Sequence, residues 1–483
     1  MNTLELLIGG KSAPAHNGGT FDRIDPFTSQ FATRAAASTV EDADAAVAAA
    51  QSAFPAWSTL SATERRKRLN AAADALVALT PEFIATGVAE TGGTQHWFGF
   101  NGMLAAQMMR EAASMTTQIT GEVLPSDVPG NYAFAMRRPC GVVVGIAPWN
   151  APVILGVRAI AMPLACGNTV VLKASEICPG VHRLIGEACH RAGLGDGVVN
   201  VITNAPADAP AIVERLIANP AVRRVNFTGS TAVGRKIAQL AGKYLKPVLL
   251  ELGGKAPLLV LDDADLDAAA AAANFGAFAN QGQICMSTER VIVDSRVAAE
   301  FAEKLAARAR SLRAVDPHRH DAVLGAMVSA EAAARVHSLV QDAIEKGARL
   351  VLGGEAEGAL MQPTILDRVA PEMRLYSEES FGPVVALIHA GGDDDAVRIA
   401  NDSPYGLSAS VFSRDTARAM NVAARIDSGI CHVNGPTVHD EANMPFGGVK
   451  DSGYGRFGGK AAIAEFTDLR WITVQTGPRH YPF

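Results

Sequence analysis

No two of the six cysteines, at positions 140, 166, 178, 189, 285 and 431, form a Cys-x-x-Cys pair or keep a regular interval, so the sequence indicates neither a disulfide framework nor a zinc site. The eleven histidines are equally scattered, and His318 and His320 fall in the polar loop Pro317-His-Arg-His-Asp321, a surface setting. No metal site is expected. Charge of one sign never accumulates: 43 basic and 49 acidic side chains are interspersed to a net −6, which gives a nucleic acid no field to follow. No apolar run approaches the roughly 20 residues needed to span a bilayer. The opening stretch Met1 to Ile8 has no basic segment and too short an apolar run for a signal peptide. These absences lead to the expectation of a soluble, cytoplasmic protein with neither nucleic acid nor membrane as partner. What is present, 48% hydrophobic and 19% charged residues with 45 glycines, fits a compact α/β enzyme of two or three domains better than a disordered or fibrous chain.

The strongest chemical signal lies between Glu251 and Cys285. Glu251-Leu-Gly-Gly-Lys255 ends the apolar run Pro247-Val-Leu-Leu250, and Asn280-Gln-Gly-Gln-Ile-Cys285 closes the stretch, so a carboxylate and a thiol each stand in a glycine-marked turn. A strand-like run (Leu258 to Leu261) and an alanine-rich helix from about Leu266 to Ala279 separate them. A strand and a helix would return the chain to its starting edge and bring the two groups together. An ionised thiol is a strong nucleophile, and a carboxylate beside it can activate the water that later cleaves a covalent intermediate, so the pairing points to thioester chemistry. Taken alone, the same residues also fit a small buried cysteine and a solvated strand end.

Along the chain, residues 1–37 alternate short apolar runs with turn signals and are expected to form strands that lie across another layer. Packing helices start near Thr39 and at the capping box Ser61-Ala-Thr-Glu64. The segment Thr91 to Asn101, with Trp97, leads into a Met-rich helix expected over Met103 to Met115; such a cluster serves either as core or as the lining for a flat apolar ligand. An alternating stretch, Thr117 to Arg138, reads as a projecting hairpin turning at Pro129-Gly130. Strand, breaker and amide follow in Gly141-Val-Val-Val-Gly-Ile-Ala-Pro148-Trp-Asn150, and a second strand ends in Lys173-Ala-Ser-Glu176. Loops at such strand ends are where α/β proteins place ligands. Further alternation to Phe227 requires right-handed crossovers and a doubly wound sheet.

Phe227-Thr-Gly229-Ser230-Thr-Ala-Val-Gly234 is the candidate phosphate site, because a strand passes through glycine and hydroxyl residues into a helix whose first amides attract an anion. The literal Gly-x-Gly-x-x-Gly match, Gly453 to Gly458, follows a turn-rich loop and lacks the required strand, so it is set aside. Beyond Cys285 a second α/β alternation begins, reaching Glu379-Ser-Phe381-Gly-Pro383 and the strand that ends in Asn434. The tail Phe466 to Val474 alternates again and is expected to pair with the 117–138 hairpin or with another subunit.

Taken in order, Pro148-Trp-Asn150, Lys173-Ala-Ser-Glu176, Phe227 to Gly234, Glu251-Leu-Gly-Gly-Lys255, Gly282-Gln-Ile-Cys285, Glu379-Ser-Phe381-Gly-Pro383 and Pro445-Phe-Gly-Gly448 resemble the aldehyde dehydrogenase superfamily over nearly the whole chain. Finer features, among them Gly282 to Arg290 and Trp97 to Asn101, are most similar to its bacterial branch acting on vanillin, benzaldehyde and salicylaldehyde. The resemblance implies a Rossmann-type cofactor domain (1–116 and 139–252), an α/β catalytic domain (253–450) and oligomerisation strands (117–138 and 465–483) of a homodimer or homotetramer. It implies Cys285 as nucleophile, Asn150 with the Cys285 amide as oxyanion holder, and Glu251 as the water-activating base, which the coenzyme-A-acylating branch generally lacks. It implies NAD, with NADP as the alternative, held by Ile146, Trp149, Lys173, Ser175, Glu176, Gly229, Ser230, Val233, Leu252, Glu379 and Phe381. Glu176 favours NAD, since a carboxylate accepts from a ribose 2′-hydroxyl and repels a 2′-phosphate.

The aldehyde would be lined by Trp97, Ala151, Arg158, Ala279, Ile284 and Met286. Ala151, Arg158 and Ala279 stand where relatives often carry bulky aromatics, leaving room for a planar ring that Trp97 stacks on. Arg158 either meets a phenolic oxygen or pairs with a nearby carboxylate of the protein. Ala159 and Phe457 replace the Lys and Glu proposed to relay protons in many relatives. The expected activity is therefore NAD-dependent oxidation of an aromatic aldehyde to its acid. The alternatives are a semialdehyde dehydrogenase of the succinic semialdehyde type, with Arg158 as carboxylate clamp, and a catalytically silent binding member.

Overall fold

The computed structural model describes residues 3–483; the first two residues of the segment assigned to 1–116 lie outside the described part. Two α/β sheets make up its body. In the first, the strands Val199–Ile202, Thr169–Lys173, Val142–Ile146, Val222–Thr228 and Val248–Glu251 run parallel in that spatial order. Antiparallel edges flank them: Leu6–Ile8 and Lys11–Ala13 on one side, Gly453–Tyr454 on the other. Valine and isoleucine dominate the central strands, and all residues of Val142–Ile146, Thr169–Lys173 and Val199–Ile202 are buried. Parallel strands covered on both faces by crossover helices produce this pattern of continuous apolar runs. The strand order departs from sequence order on either side of Val142–Ile146, and such a switch opens a crevice at the carboxyl ends of the strands.

One crossover helix, Pro152–Ala165, is buried along its full length. Proline at its first position has no amide to leave unpaired. The helix lies between the sheet and the long helix Gln95–Met115, which shares its hydrophobic core. That long helix starts eight residues earlier than the expected Met103, because Thr94 Oγ accepts from the Trp97 amide at 3.2 Å and caps it. Trp97 to Asn101 are therefore its first turns and not a lead-in loop, and Trp97 has a fixed direction.

The second sheet has the order Arg349–Leu352, Thr364–Asp367, Val384–Ala390, Thr288–Asp294, Ala256–Val260, Ser408–Phe412 and Ile430–Val433, parallel except for its first strand. Apolar clusters of its own cover both faces. A third, smaller sheet joins Glu122–Leu124, Asn131–Pro139 and Thr467–Gln475, so the tail pairs with the hairpin of its own chain, over nine residues from Thr467↔Pro139 to Gln475↔Asn131. Gly453, from the set-aside glycine motif, lies in the short edge strand against Leu250 and Glu251. Among the described residues, no single helix is long and apolar enough to cross a membrane.

Candidate active site

Glu251 is the last residue of its strand, in register with Thr228 on one side and Gly453 on the other. It is 1% exposed, and neither carboxylate oxygen has a hydrogen-bond partner. Burial pushes its pKa up to about 8, which the positive Arg158 partly offsets and the negative Glu379 and Asp440 reinforce. A strand that ends on an unsolvated, unpaired carboxylate gains nothing in stability from it. Such a cost is characteristic of a residue kept for chemistry.

Cys285 follows a turn in which Asn280, Gln281 and Gly282 all take left-handed backbone angles (φ 48°, 55° and 68°). For the two non-glycine residues this conformation costs on the order of 1 kcal/mol each. At Gly282 a side chain is excluded altogether, since a Cβ would stand 2.1 Å from the Gly382 carbonyl. The turn is thereby pressed against the loop carrying Glu379 and Phe381. Cys285 itself is half-buried where two cavities meet. Desolvation raises its pKa well above the usual thiol value, with Glu251 and Glu379 as the next contributors. The carboxylate disfavours ionisation of the thiol beside it, whereas the neutral thiol itself favours the ionised carboxylate.

Asn150 closes the group. Its side-chain amide donates to the Gln283 carbonyl at 2.9 Å, two residues before the thiol. Its own carbonyl accepts from Trp97 Nε1 and from Asn280 Nδ2, each at 2.9 Å. The asparagine is thus fixed from both sides before any ligand arrives, and one amide hydrogen remains for a developing oxyanion.

The first of the two cavities, about 490 Å³, is walled by Trp149, Gly229, Ser230, Leu252, Glu379 and Phe381 together with Glu251 and Cys285. It lies at the carboxyl ends of the parallel strands and at the start of the helix Thr231–Lys243, where Ser230 Oγ accepts from the Val233 amide. Backbone amides there suit a pyrophosphate. At Gly229 a Cβ would stand 2.5 Å from the Phe227 ring, so a side chain there would displace that ring. Glu379 is held by the Gly254 amide at 2.9 Å, and Phe381 packs edge-on to Trp149 at 5.7 Å. The donor set and shape fit a dinucleotide. Ile146, Lys173, Ser175, Glu176 and Val233 stand outside this wall. Lys173 and Ile146 are register partners on adjacent strand ends; Lys173 forms an ion pair with Glu176, which also accepts from Asn204 at 3.0 Å. Ser175 is buried in the connection, its amide on His182 and its hydroxyl accepting from Ile177.

The second cavity, about 620 Å³, is walled by Trp97, Ala151, Arg158, Ala279, Ile284 and Met286, all six of the residues expected there, with Cys285 and Asn150 at its inner end. Its remaining wall is largely apolar and includes Phe100, Phe278 and Phe446. Arg158 lies over the Phe446 ring at 4.1 Å and forms a 2.5 Å ion pair with Asp440, which sequence reasoning had not singled out. Other wall residues were also missed. Arg335 donates to the Glu379 and Ser380 carbonyls from the middle of a helix, and Tyr405 lies 26 residues beyond Glu379; neither stands in a motif. Asn280 was within reach of the sequence, at the head of the quoted turn.

A model of the aldehyde dehydrogenase family matches residues 13–472. The chain is 65% identical over 482 residues to a vanillin dehydrogenase of Pseudomonas fluorescens, covering 100% of each. It is 49% identical over 480 residues to a salicylaldehyde dehydrogenase of Pseudomonas sp. strain C18, covering 99% of each. The crystal structure of a salicylaldehyde dehydrogenase from Pseudomonas putida G7, complexed with salicylaldehyde, superposes with a TM-score of 0.98 at 46% identity over 100% of both chains.

Proposed function

This chain belongs to the aldehyde dehydrogenase family, and from that premise we propose that it oxidises ring aldehydes of the vanillin, benzaldehyde and salicylaldehyde kind to carboxylic acids with NAD. The observation that carries the proposal is the meeting of Cys285, Asn150 and Glu251 where an apolar cavity joins one suited to a dinucleotide. Cys285, its thiol proton released to water in the cofactor cavity, attacks the aldehyde carbon as the thiolate, and the oxyanion is held by the Asn150 amide and the Cys285 backbone N–H. The nicotinamide, when bound, supplies the hydride acceptor that takes the resulting adduct to the thioester oxidation level. Glu251 then removes a proton from water as it attacks the thioester carbon, and Cys285 leaves as the thiolate. Because Glu251 lines the cofactor cavity, it exchanges its proton with water there, without the relay that Ala159 and Phe457 cannot provide.

The cofactor is a nicotinamide dinucleotide. Glu176 beside Lys173 supports NAD over NADP, while Ser230, Glu379 and Phe381 would hold the pyrophosphate and the nicotinamide end. On this reading 1–116 with 139–252 form the cofactor domain and 253–450 the catalytic domain. The segments 117–138 and 465–483 provide the subunit contact. The third sheet exposes Val123, Tyr132, Met136 and Val474 on one face and Leu469 and Trp471 on the other, apolar side chains suited to the contacts of a homodimer or homotetramer. Six free cysteines agree with a cytoplasmic location. The semialdehyde alternative loses support because Arg158 is already neutralised by Asp440. Initial rates of NADH formation with vanillin and with succinic semialdehyde test the substrate class. A preference for vanillin is expected, and a preference for succinic semialdehyde would overturn it.

A further inference from the structure

The substrate cavity carries one Lys or Arg among its lining residues, Arg158, and that charge is spent inside the protein. The Arg158 and Asp440 side chains are 6% and 12% exposed, the pair is closed at 2.5 Å, and Phe446 covers the guanidinium face at 4.1 Å. Asp440 keeps its second oxygen, Oδ1, buried without a hydrogen-bond partner. Its two histidine neighbours in the wall offer no substitute cation of comparable depth: His96 stacks against His320 toward the exposed loop, and His439 is engaged with Glu441 at 2.9 Å. On the substrate side of the reacting centre Arg158 is thus the single guanidinium, and Asp440 already holds it. An aldehyde bearing a carboxylate would bring a further negative charge into a largely apolar cavity that offers it no free Lys or Arg.

We propose that Asp440 is a specificity-determining residue: by occupying Arg158 it excludes aldehydes that carry an anionic group and reserves the cavity for neutral rings. Discrimination of this kind rests on a repulsive element built against the wrong ligand as much as on contacts to the right one. It also explains why an arginine is compatible with an otherwise apolar wall, since an unpaired buried guanidinium would recruit any available carboxylate. Asp440 acts through Arg158 and takes no part in the bond-making steps. The inference rests on the ring-aldehyde reading above.

The test is to measure kcat and KM with benzaldehyde and with the ortho, meta and para carboxybenzaldehydes for the wild type, Asp440→Asn, Asp440→Ser and Asp440→Glu. The wild type is expected to use benzaldehyde and discriminate against every carboxylated isomer. In Asp440→Asn and Asp440→Ser the kcat/KM of at least one carboxylated isomer relative to benzaldehyde is expected to rise by about tenfold or more, chiefly through KM, as a freed Arg158 clamps the carboxylate. Asp440→Glu is expected to keep the wild-type ratio. A ratio unchanged in both neutral variants, or raised equally in Asp440→Glu, overturns the assignment. A wild type that uses succinic semialdehyde but not benzaldehyde overturns the ring-aldehyde reading itself, and the inference with it.

Discussion

Replacing Glu251 with glutamine separates the two halves of the reaction in a nearly unchanged volume. In the proposed mechanism, formation of the thioester needs Cys285 and Asn150, whereas its hydrolysis needs a base. The variant is therefore expected to release about one equivalent of NADH per active site and then to slow by about 10²- to 10⁴-fold, the usual contribution of a general base. Stability provides a second, independent readout. The Glu251 pKa is about 8 in the folded chain against 4.5 for an ordinary glutamate, so between these values the unfolded state loses its proton while the folded state retains it. Fewer protons on the unfolded state mean that folding stability contributed by this group falls as pH rises from 4.5 to about 8 and is level above that. Glutamine does not titrate. At about 1.4 kcal/mol per pH unit, the stability of the variant relative to the wild type should grow by about 3 kcal/mol between pH 6 and pH 9. The cost of the buried amide cancels in that comparison because it does not depend on pH. Stopped-flow NADH absorbance and urea unfolding at the two pH values provide the measurements. A full steady rate in the variant, or a stability difference that does not change with pH, would refute the role and the environment assigned to Glu251.

Other consequences follow from the same geometry. Asn150→Ala should lower kcat by about 10²- to 10³-fold, because it removes one of the two proposed donors to the oxyanion, and KM should change far less. Steady-state turnover limited by hydrolysis should climb with pH through about 8, where Glu251 is half ionised, and level only above that; a flat profile from pH 6 to 9 would place the limiting step elsewhere. If Glu176 stands at the 2′ position as proposed, Glu176→Gln should reduce the preference for NAD over NADP by about tenfold or more in kcat/KM, since it removes the carboxylate that would repel a 2′-phosphate. Trp471→Asp, which puts a charge on the exposed apolar sheet, should reduce the mass measured by light scattering to that of a smaller assembly without abolishing the fold.

The alternation of buried strands and crossover helices was legible because valine-rich runs bounded by glycine and proline have few other solutions. Glu251 and Cys285 were legible for a related reason, each standing at a glycine-marked strand end or turn. The start of the helix at Gln95 was not, because the aromatic and glycine residues from Trp97 to Gly99 mask the cap that Thr94 provides. Arg158 was recognised with two fates, a substrate oxygen or a protein carboxylate. Its partner lies 282 residues away on a loop with no motif, so only the folded chain reveals the pair. Arg335 and Tyr405 were missed on the same ground: nothing local in the sequence reflects which helix or loop will close over a neighbouring strand end. Ser175 was placed by analogy among the cofactor residues; what the fold adds is that its hydroxyl accepts from the Ile177 amide.

The most direct test of the central claim is to mix Glu251→Gln with benzaldehyde and NAD, quench in acid, digest, and read the cysteine peptides by mass spectrometry. A benzoyl thioester on the peptide bearing Cys285, absent when NAD is omitted, is the predicted result. No acyl adduct alongside sustained NADH formation, or an adduct on Cys140 or Cys431 in its place, would contradict the account.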